Sequence, residues 1–472
     1  MNVLTRSRHR VPPSSPRTAG GLVGRALAWP CHVDRLLTLL TWRRARAYAL
    51  VLLLLYVVAW LDVLALGSPP LNSSGTPLGG DYIAFHTAGR LLLSGRASEL
   101  YDHAAVSAVQ DSLLGGRAPG FYDAFRNPPF YAVLFAPLAL LDLLPGFAVF
   151  SVLSAACLAL ALWLLLRDAL LLGETRLLGD ALLLGDTPRL RERWRGLVVL
   201  VLAFPPVYFG LIDGENAIIS LLLYALIYRA VAHKQDRAAG IWSALGLFKP
   251  QLFFIFPLIF LASRRWRALV AYGLTAAALF ALSVAVVGPA GMQAWLRILI
   301  EPETGNATAN AWRMASLKSF FDVLLPDQHL LSLGLYAASS LALLFALLRA
   351  WSRLTSRASS RPSSAVSSGP SAAGTSSGLS AAGASSGASP SGTSTGLSGG
   401  ASLVISSRPP SSASPGGFSA PWTAHAAGSS SNASARPSLA SPLPALWAFT
   451  SLVAVLVDPH LVDYDLTVLV PA

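Results

Sequence analysis

A mostly apolar run at residues 47–66 constrains this chain more than any other feature. A helix needs about 20 apolar residues to cross the hydrocarbon core of a bilayer. The composition agrees, because 54% of the 472 residues are hydrophobic and only 12% are charged, proportions that differ from those of a soluble domain. The pattern therefore predicts an all-α polytopic membrane protein.

Clusters of basic residues between the apolar runs predict which ends of the spans face the cytosol. Arg43, Arg44 and Arg46 close an arginine-rich arm, residues 1–46, which is too long for the basic part of a cleaved signal peptide. We place this arm in the cytosol and residues 67–127 outside. Since such clusters account for the net charge of +12, nucleic acid is not an expected partner. The expected partner is the lipid bilayer of the cytoplasmic (inner) membrane, crossed several times.

The composition divides the rest of the chain into three parts. Residues 47–353 form the transmembrane region. Residues 354–440 are rich in Ser, Gly, Ala and Pro and lack acidic residues, which predicts a disordered cytosolic insertion. Residues 441–472 complete the transmembrane region with a last span near 443–457. Because the chain ends a few residues into a further apolar segment, we expect this part to be incomplete.

Two pairs of short apolar segments meet at polar tips, Asp213-Gly214-Glu215-Asn216 and Lys249-Pro250-Gln251. Basic residues at their other ends predict helical hairpins whose tips face outward. One region does not fit this pattern, because two full spans at 128–144 and 147–166 would put the next arginine cluster outside. We favour a re-entrant or tilted first segment that turns at Pro145-Gly146.

Asp81 is the strongest candidate for chemistry, since an ionisable group beside a bilayer is a functional candidate by default. The alternative is an acid that caps the next helix. Lys249, within an apolar stretch, is expected to line a cavity reached from outside. A structural ion pair of Lys249 with Glu215 or another acid is the competing interpretation.

The outward-facing motifs together resemble those of glycosyltransferase family 87. The stretches that carry the resemblance are Asp81 to Tyr101, Asn127 to Pro137, Gly214 to Asn216, Gly240 to Trp266 and Pro459 to Leu466. The family usually has Gln at the position of Glu215, and an aromatic residue at the position of Asn127. The resemblance implies a GT-C-type multi-span helical bundle with an external loop after the first span.

The resemblance further implies a polyprenol-phosphate-mannose-dependent α-1,2-mannosyltransferase. Such an enzyme moves a hexose, here mannose, with inversion, from a polyprenyl-phosphate-linked donor to a glycan or glycolipid acceptor at the outer membrane face. Asp81 would be the catalytic base. Cations expected near that face are candidate contacts for the donor phosphate: Lys249, Arg126, Lys318 and His460. Polar residues that could bind the sugar or the acceptor are Asn127, Glu215, Asn216, Gln251, Tyr464 and Asp465. No residues are assigned to a metal, and a divalent metal requirement stays open.

Two other functional classes fit parts of the same pattern. The polar candidates for sugar binding could instead satisfy one another as caps of the hairpins. Asp62 is expected to face the protein interior. Together with Lys249 and Glu215, it could mark a solute pathway in a transporter. A non-catalytic membrane protein is the third interpretation.

Overall fold

The computed structural model describes residues 41–171, 187–300, 314–359, 442–458 and 463–469. The secondary-structure elements in these ranges are helices. In chain order they are α1 Trp42–Leu66, α2 Tyr82–Leu93, α3 His103–Leu113, α4 Pro129–Ala132, α5 Leu143–Leu171, α6 Thr187–Leu202, α7 Pro205–Ile212, α8 Ala217–Ala232, α9 Asp236–Leu245, α10 Pro250–Phe253, α11 Ile255–Ala262, α12 Trp266–Ile300, α13 Leu317–Leu324, α14 His329–Ser359 and α15 Leu443–Val457. Short 3₁₀ turns connect several of them, and a 3₁₀ segment, Asp463–Leu469, follows α15.

Four of these helices, α1, α5, α12 and α14, are long and apolar enough to cross a membrane. Helices α6 and α7 could supply a fifth span, bent by 63° between Leu202 and Pro205. Both α8 and α15 are apolar but shorter. The all-α polytopic membrane class predicted from the sequence is confirmed.

The first and last predicted spans correspond to helices with closely similar bounds. α1 begins at Trp42 and ends at Leu66, so the last arginines of the basic arm lie in its first turns. α15 covers the predicted span 443–457. α14 continues to Ser359, six residues beyond the expected end of the transmembrane region. Most of the arm and nearly all of the predicted insertion lie outside the described residues.

Residues 128–144 do not form a spanning helix. They contain α4 and two 3₁₀ turns, Val133–Phe135 and Leu138–Leu140, which agrees with the re-entrant interpretation. The turn predicted at Pro145-Gly146 is wrong, because both residues lie in the first turn of α5. Proline is tolerated there, since the first backbone N–H groups of a helix have no acceptor within it.

Helix α8 lies at the centre of the described bundle. It packs against α5 on one side and α9 on another, and α9 packs along α12. At its C-terminal end, Arg229 Nη1 lies 2.5 Å from the buried carboxylate of Asp168 on α5, and His233 Nε2 lies 3.3 Å from the same oxygen. At its N-terminal end, the 3₁₀ segment packs on α7 and α8. The first polar tip and the 3₁₀ segment therefore lie together at the N-terminal end of a largely buried helix.

Gly240 allows α9 and α12 to approach closely. A Cβ atom at this position would lie 2.1 Å from the carbonyl oxygen of Ala268, which is backbone and cannot rotate away. We expect Gly240→Ala to separate the two helices and to destabilise the protein by about 1–3 kcal/mol, as overpacking does. Thermal unfolding of the purified protein in detergent measures this loss.

Gly273→Ala is the matched control, because a Cβ at Gly273 on α12 meets nothing within 4 Å. Alanine is the better helix former by about 0.8–1.0 kcal/mol, so this variant should melt at the wild-type temperature or above. Equal destabilisation by the two substitutions would contradict the close packing of α9 on α12.

Candidate functional site

Two glycine-containing turns bring Asp81 and Glu215 together. Gly214 has a φ of +66° and ends α7, and the Glu215 N–H donates to the Gly210 carbonyl oxygen at 3.0 Å. This is the Schellman arrangement, which favours glycine. A Cβ on Gly214 would lie 2.6 Å from Tyr82 Cβ and 3.0 Å from the Gly79 carbonyl oxygen. The loop before α2 therefore packs directly on the first polar tip.

Lys249 occupies the second polar tip, at a break between two helices. Its φ and ψ are −123° and 73°, outside the helical region, as the steric demand of the following Pro250 favours. Its side chain is 9% exposed, and its Nζ lies 3.6 Å from Glu215 Oε2. The same ammonium donates a short hydrogen bond to Asp465 Oδ1. Two acids from distant parts of the chain therefore surround one buried cation.

The charge of Lys249 is maintained by these acids. Burial alone would lower the pKa of the ammonium, but Asp465, Glu215 and Asp81 raise it, and the net direction is upward. The ion pairs of Lys249 stabilise the folded protein fully at any pH below the ordinary pKa of lysine. This stabilisation is lost only when the pH rises through the higher pKa of the folded state. Lys249 is therefore charged throughout the neutral range.

Asp81 lies just before α2 but makes no side-chain capping hydrogen bond to it. The capping interpretation is therefore wrong. Its carboxyl group instead lies close enough to the Glu215 carboxyl for the two charges to act on each other. Burial raises the pKa of Asp81 well above its usual range, and Glu215, Asp123 and Asp213 raise it further. The Asp81 carboxyl is thus a stronger base than an exposed one once it is ionised.

Asn216 follows Glu215 and starts α8 without capping it, so the cap interpretation fails for Asn216 as well. Its side chain is buried, and neither its amide nitrogen nor its carbonyl oxygen has a hydrogen-bond partner among the described residues. The buried hydroxyl groups of Tyr131, Tyr82 and Ser220 lack one too. Tyr131 lies near Asn216 and Glu215. Such groups are costly unless another molecule satisfies them, so they could recognise the hydroxyls of a ligand.

Asn127 connects the loop before α4 to the second polar tip. Its side-chain amide donates to the Phe248 carbonyl oxygen at 2.9 Å, and its backbone carbonyl oxygen accepts from the Tyr101 hydroxyl at 2.7 Å. Arg126 precedes it with an exposed side chain whose Nη1 donates to the Ile298 carbonyl oxygen at 3.3 Å. Gln251 is half-buried in α10. Asn127 therefore bonds to the residue before Lys249, and Gln251 follows Lys249 by two residues, whereas the Arg126 side chain contacts α12.

The remaining predicted residues divide into two groups. Lys318 lies on α13, where its ammonium binds Asp322 at 2.5 Å, and no contact of its own joins it to Lys249 in the part of the chain that the structure describes. Tyr464 belongs to the 3₁₀ segment, but its side chain is outside the described set, and so is the whole of His460.

Sequence reasoning missed three residues of this region and misplaced one. Asp123 and Asp213 act on the Asp81 carboxyl, and Tyr131 faces Asn216. The position of Asp213 within the first polar tip was the available signal. Asp62 was expected inside the protein, but its side chain is exposed on α1. The described residues contain no group of three or more His, Cys, Asp or Glu side chains placed to hold a metal ion.

Comparison with known proteins gives a family match. The model of the family described as glycosyltransferase family 87 matches residues 125–371, which is just over half of the chain. The matched range contains Asn127, Glu215 and Lys249, whereas Asp81 and Asp465 lie on either side of it. No curated protein and no solved structure matches the chain.

The ion pairs of Lys249 predict a large effect of removing its charge. Lys249→Met keeps the length of the side-chain stem but leaves Glu215 and Asp465 as uncompensated buried acids. Breaking a buried pair in this way typically costs about 3 to 5 kcal/mol, so the variant should melt well below the wild type at neutral pH. Thermal unfolding in detergent measures the difference.

Lys318→Met removes a lysine from an ion pair that is about one-third exposed. Exposed pairs contribute about 0–1 kcal/mol, so this control should melt close to the wild type. If both variants lost the same stability, the buried pairing of Lys249 would not be the cause.

Proposed function

The chain belongs to glycosyltransferase family 87, and from this premise we propose that it moves a hexose, specifically mannose, from a polyprenyl-phosphate-linked donor to a glycan or glycolipid acceptor. Family membership and the long apolar helices make it a membrane glycosyltransferase. The lipid-linked donor, the GT-C architecture and transfer at the outer face of the cytoplasmic membrane are proposed in addition to that activity. One observation carries it: Asp81 and Glu215 meet beside Lys249 at the polar tips.

Asp81 is the proposed general base. Its carboxylate would accept the proton of the acceptor hydroxyl while the hydroxyl oxygen bonds to the anomeric carbon. The bond from that carbon to the phosphate oxygen breaks, and the phosphate leaves with the electron pair. A single displacement of this kind inverts the anomeric configuration. The raised pKa of Asp81 supports this role, since a base is most effective when its pKa lies near the working pH.

The donor phosphate needs cations at the point where its charge develops. Lys249 already binds two acids, so a phosphate at this ammonium would have to displace Asp465 or share Lys249 with it. Arg126 is more accessible and lies next to Asn127, whose amide is bonded to the residue before Lys249. We assign the main phosphate contact to Arg126, with Lys249 as the deeper charge. Lys318 and His460 remain predicted contacts.

The sugar and acceptor contacts follow from the polar groups around Glu215. Asn216 offers a donor and an acceptor from a buried position, and the Tyr131 hydroxyl lies beside it. Hydroxyl recognition requires such groups in a concave site. Asn127, Glu215, Gln251, Tyr464 and Asp465 complete the proposed set. A divalent metal has no assigned residues in this proposal.

Asp81→Asn tests the proposal directly. The amide keeps the shape of the side chain but cannot accept the acceptor's proton, so transfer of radiolabelled mannose from polyprenyl-phosphate-mannose should fall by about 10²- to 10⁴-fold. Binding of the same donor by the purified variant should persist. A panel of donors that carry mannose, glucose or a pentose on the same lipid tests the proposed sugar.

Asp142→Asn is the matched control, because Asp142 is an exposed acid just before α5, outside the cluster around Lys249. It should transfer at the wild-type rate. Near-normal turnover by Asp81→Asn would remove Asp81 from the mechanism, and absence of donor binding by the wild type would refute the lipid-linked donor.

The outer position of the site can be checked by cysteine labelling. Two exposed residues mark opposite sides of the proposed bundle. Ser74 lies in the loop between α1 and Asp81, and Lys234 follows the C-terminal end of α8, away from the site. In a background with Cys31→Ser and Cys157→Ser, Ser74→Cys should react with an impermeant thiol reagent added outside intact cells. Lys234→Cys should react only after the membrane is opened. The reverse pattern would place Asp81 in the cytosol.

A further inference from the structure

An open pocket of about 350 Å³ lies at the end of α8 that is remote from the site around Lys249. Its lining comes from the start of α12 and from the turn between α8 and α9: Arg267, Lys234, Gln235, Asp236, Arg237 and Ala238. Lys234 follows the C-terminal end of α8, whereas Glu215 precedes the N-terminal end. The pocket is large enough for a small ligand and takes no part in the proposed transfer site.

Three positive charges in this pocket have no acid partner. Lys234, Arg237 and Arg267 have exposed side chains, and none of them forms a salt bridge within the part of the chain that the structure describes. The acid in the lining, Asp236, accepts a hydrogen bond from Arg265 Nη1 at 3.0 Å, so its charge is already compensated. An anionic group placed in the pocket would therefore be attracted by all three cations.

The packing of α9 on α12 brings these cations together. Asp236, at the start of α9, bonds to Arg265, the residue before α12. One turn further along α9, a Cβ on Gly240 would touch the backbone of Ala268. The two helices therefore run in the same direction from neighbouring first turns. The N–H groups of those turns add positive partial charge to that of the three side chains.

Two turns at this end hold a basic residue in a conformation that favours glycine. Lys234 and Arg264 follow α8 and α11 with φ values of +58° and +54°. The other residues with positive φ in the described parts of the chain are glycines. A side chain in the left-handed region is destabilising, and such strained positions are found at ligand-binding sites more often than elsewhere. The backbone geometry thus agrees with a binding role for this end of the bundle.

Exposed apolar side chains beside the pocket place it at the edge of the bilayer. Trp266, the neighbour of Arg267, is 58% exposed, and Val270 and Leu274 continue the same face of α12 at 59% and 69%. Since α12 is long and apolar enough to cross a membrane, this face is expected to contact lipid. Tryptophan favours the interface between membrane and water. A ligand held by Arg267 would therefore lie at the depth of the phospholipid headgroups.

We propose that the pocket binds the phosphate group of an anionic phospholipid, in the leaflet opposite to the proposed transfer site. A phosphodiester carries a negative charge and acceptor oxygens, which suit ammonium and guanidinium groups. Basic pockets between membrane helices bind headgroups of this class. A soluble phosphate compound presents the same group, but the adjoining apolar face favours the lipid. This second binding site does not depend on the proposed transfer reaction.

Native mass spectrometry of the full-length protein tests the proposal, with phosphatidylglycerol and phosphatidylcholine as probes. The wild type should retain one phosphatidylglycerol more tightly than phosphatidylcholine, whose headgroup has a phosphate but no net charge. Arg267→Gln should weaken the binding of phosphatidylglycerol by about tenfold, the factor typical of a lost hydrogen bond between charged groups. Equal retention of the two lipids by the wild type would overturn the proposal.

Arg167→Gln is the matched control. Arg167 is an exposed arginine at the same end of the bundle, next to Asp168, which binds Arg229 near the end of α8. It does not line the pocket. This variant loses the same charge as Arg267→Gln and should bind phosphatidylglycerol as the wild type does. Equal losses in the two variants would show a diffuse attraction to a basic membrane face, and the pocket would not be the cause.

Inorganic phosphate, as a third probe, separates the lipid from a soluble ligand. In phosphatidylcholine nanodiscs the wild type should melt at a higher temperature when phosphatidylglycerol is added, because a ligand stabilises the folded state that binds it. Inorganic phosphate should give no comparable gain. A gain with phosphate alone would overturn the lipid as the ligand. If Arg267→Gln failed to fold, Lys234→Gln and Arg237→Gln would test the same pocket, and unchanged lipid binding in both would refute it.

Discussion

The buried ammonium of Lys249 is the interaction on which the proposed site depends. It binds Glu215 from the first polar tip and Asp465 from the 3₁₀ segment after α15, so one charge fixes three separate parts of the chain. A lysine removed from water is destabilising unless acids and hydrogen bonds compensate for the lost hydration. Here the acids outweigh the effect of burial, because the pKa of Lys249 is raised. The arrangement is stable only when all three parts are in place.

The local geometry comes from residues that interrupt helices. Gly214 ends α7 with a positive φ and leaves space for Tyr82, and Pro250 forces Lys249 out of helical geometry. Each break turns a polar side chain toward the same region while the flanking helices remain packed. Groups in well-packed surroundings hold their positions without a further ordering cost when substrate binds. The short helices that made the spans hard to count from the sequence are therefore the elements that shape the site.

The sequence was sufficient for the class of fold and for part of the cluster, namely Asp81, Glu215 and Lys249. It was not sufficient for the other clustered residues or for the contacts between them. Apolar runs and basic clusters report burial in a bilayer directly, so α1 and α15 were predicted closely. Whether Asp81 caps a helix or lies beside Glu215 depends on how two turns 134 positions apart pack against each other, which no local pattern records. The same limit applies to Asp465, whose pairing with Lys249 spans 216 positions. The prediction of a turn at Pro145-Gly146 was wrong for another reason, because proline is permitted in the first turn of a helix as well as in a loop.

The distribution of charge separates the two substrates of the proposed reaction. Asp81, Glu215, Asp123 and Asp213 form an acidic group beside Lys249, and this group would repel the phosphate of a lipid-linked donor. The same group suits an uncharged acceptor hydroxyl, which has a proton to lose. The donor phosphate is better held at the exposed Arg126, on the loop that Asn127 bonds to the backbone next to Lys249. The anomeric carbon would then lie between a basic rim and an acidic interior, with the leaving phosphate on the side of Arg126 and the attacking oxygen on the side of Asp81. A displacement with inversion requires that opposition, which the proposed roles of the exposed Arg126 and the buried Asp81 would supply.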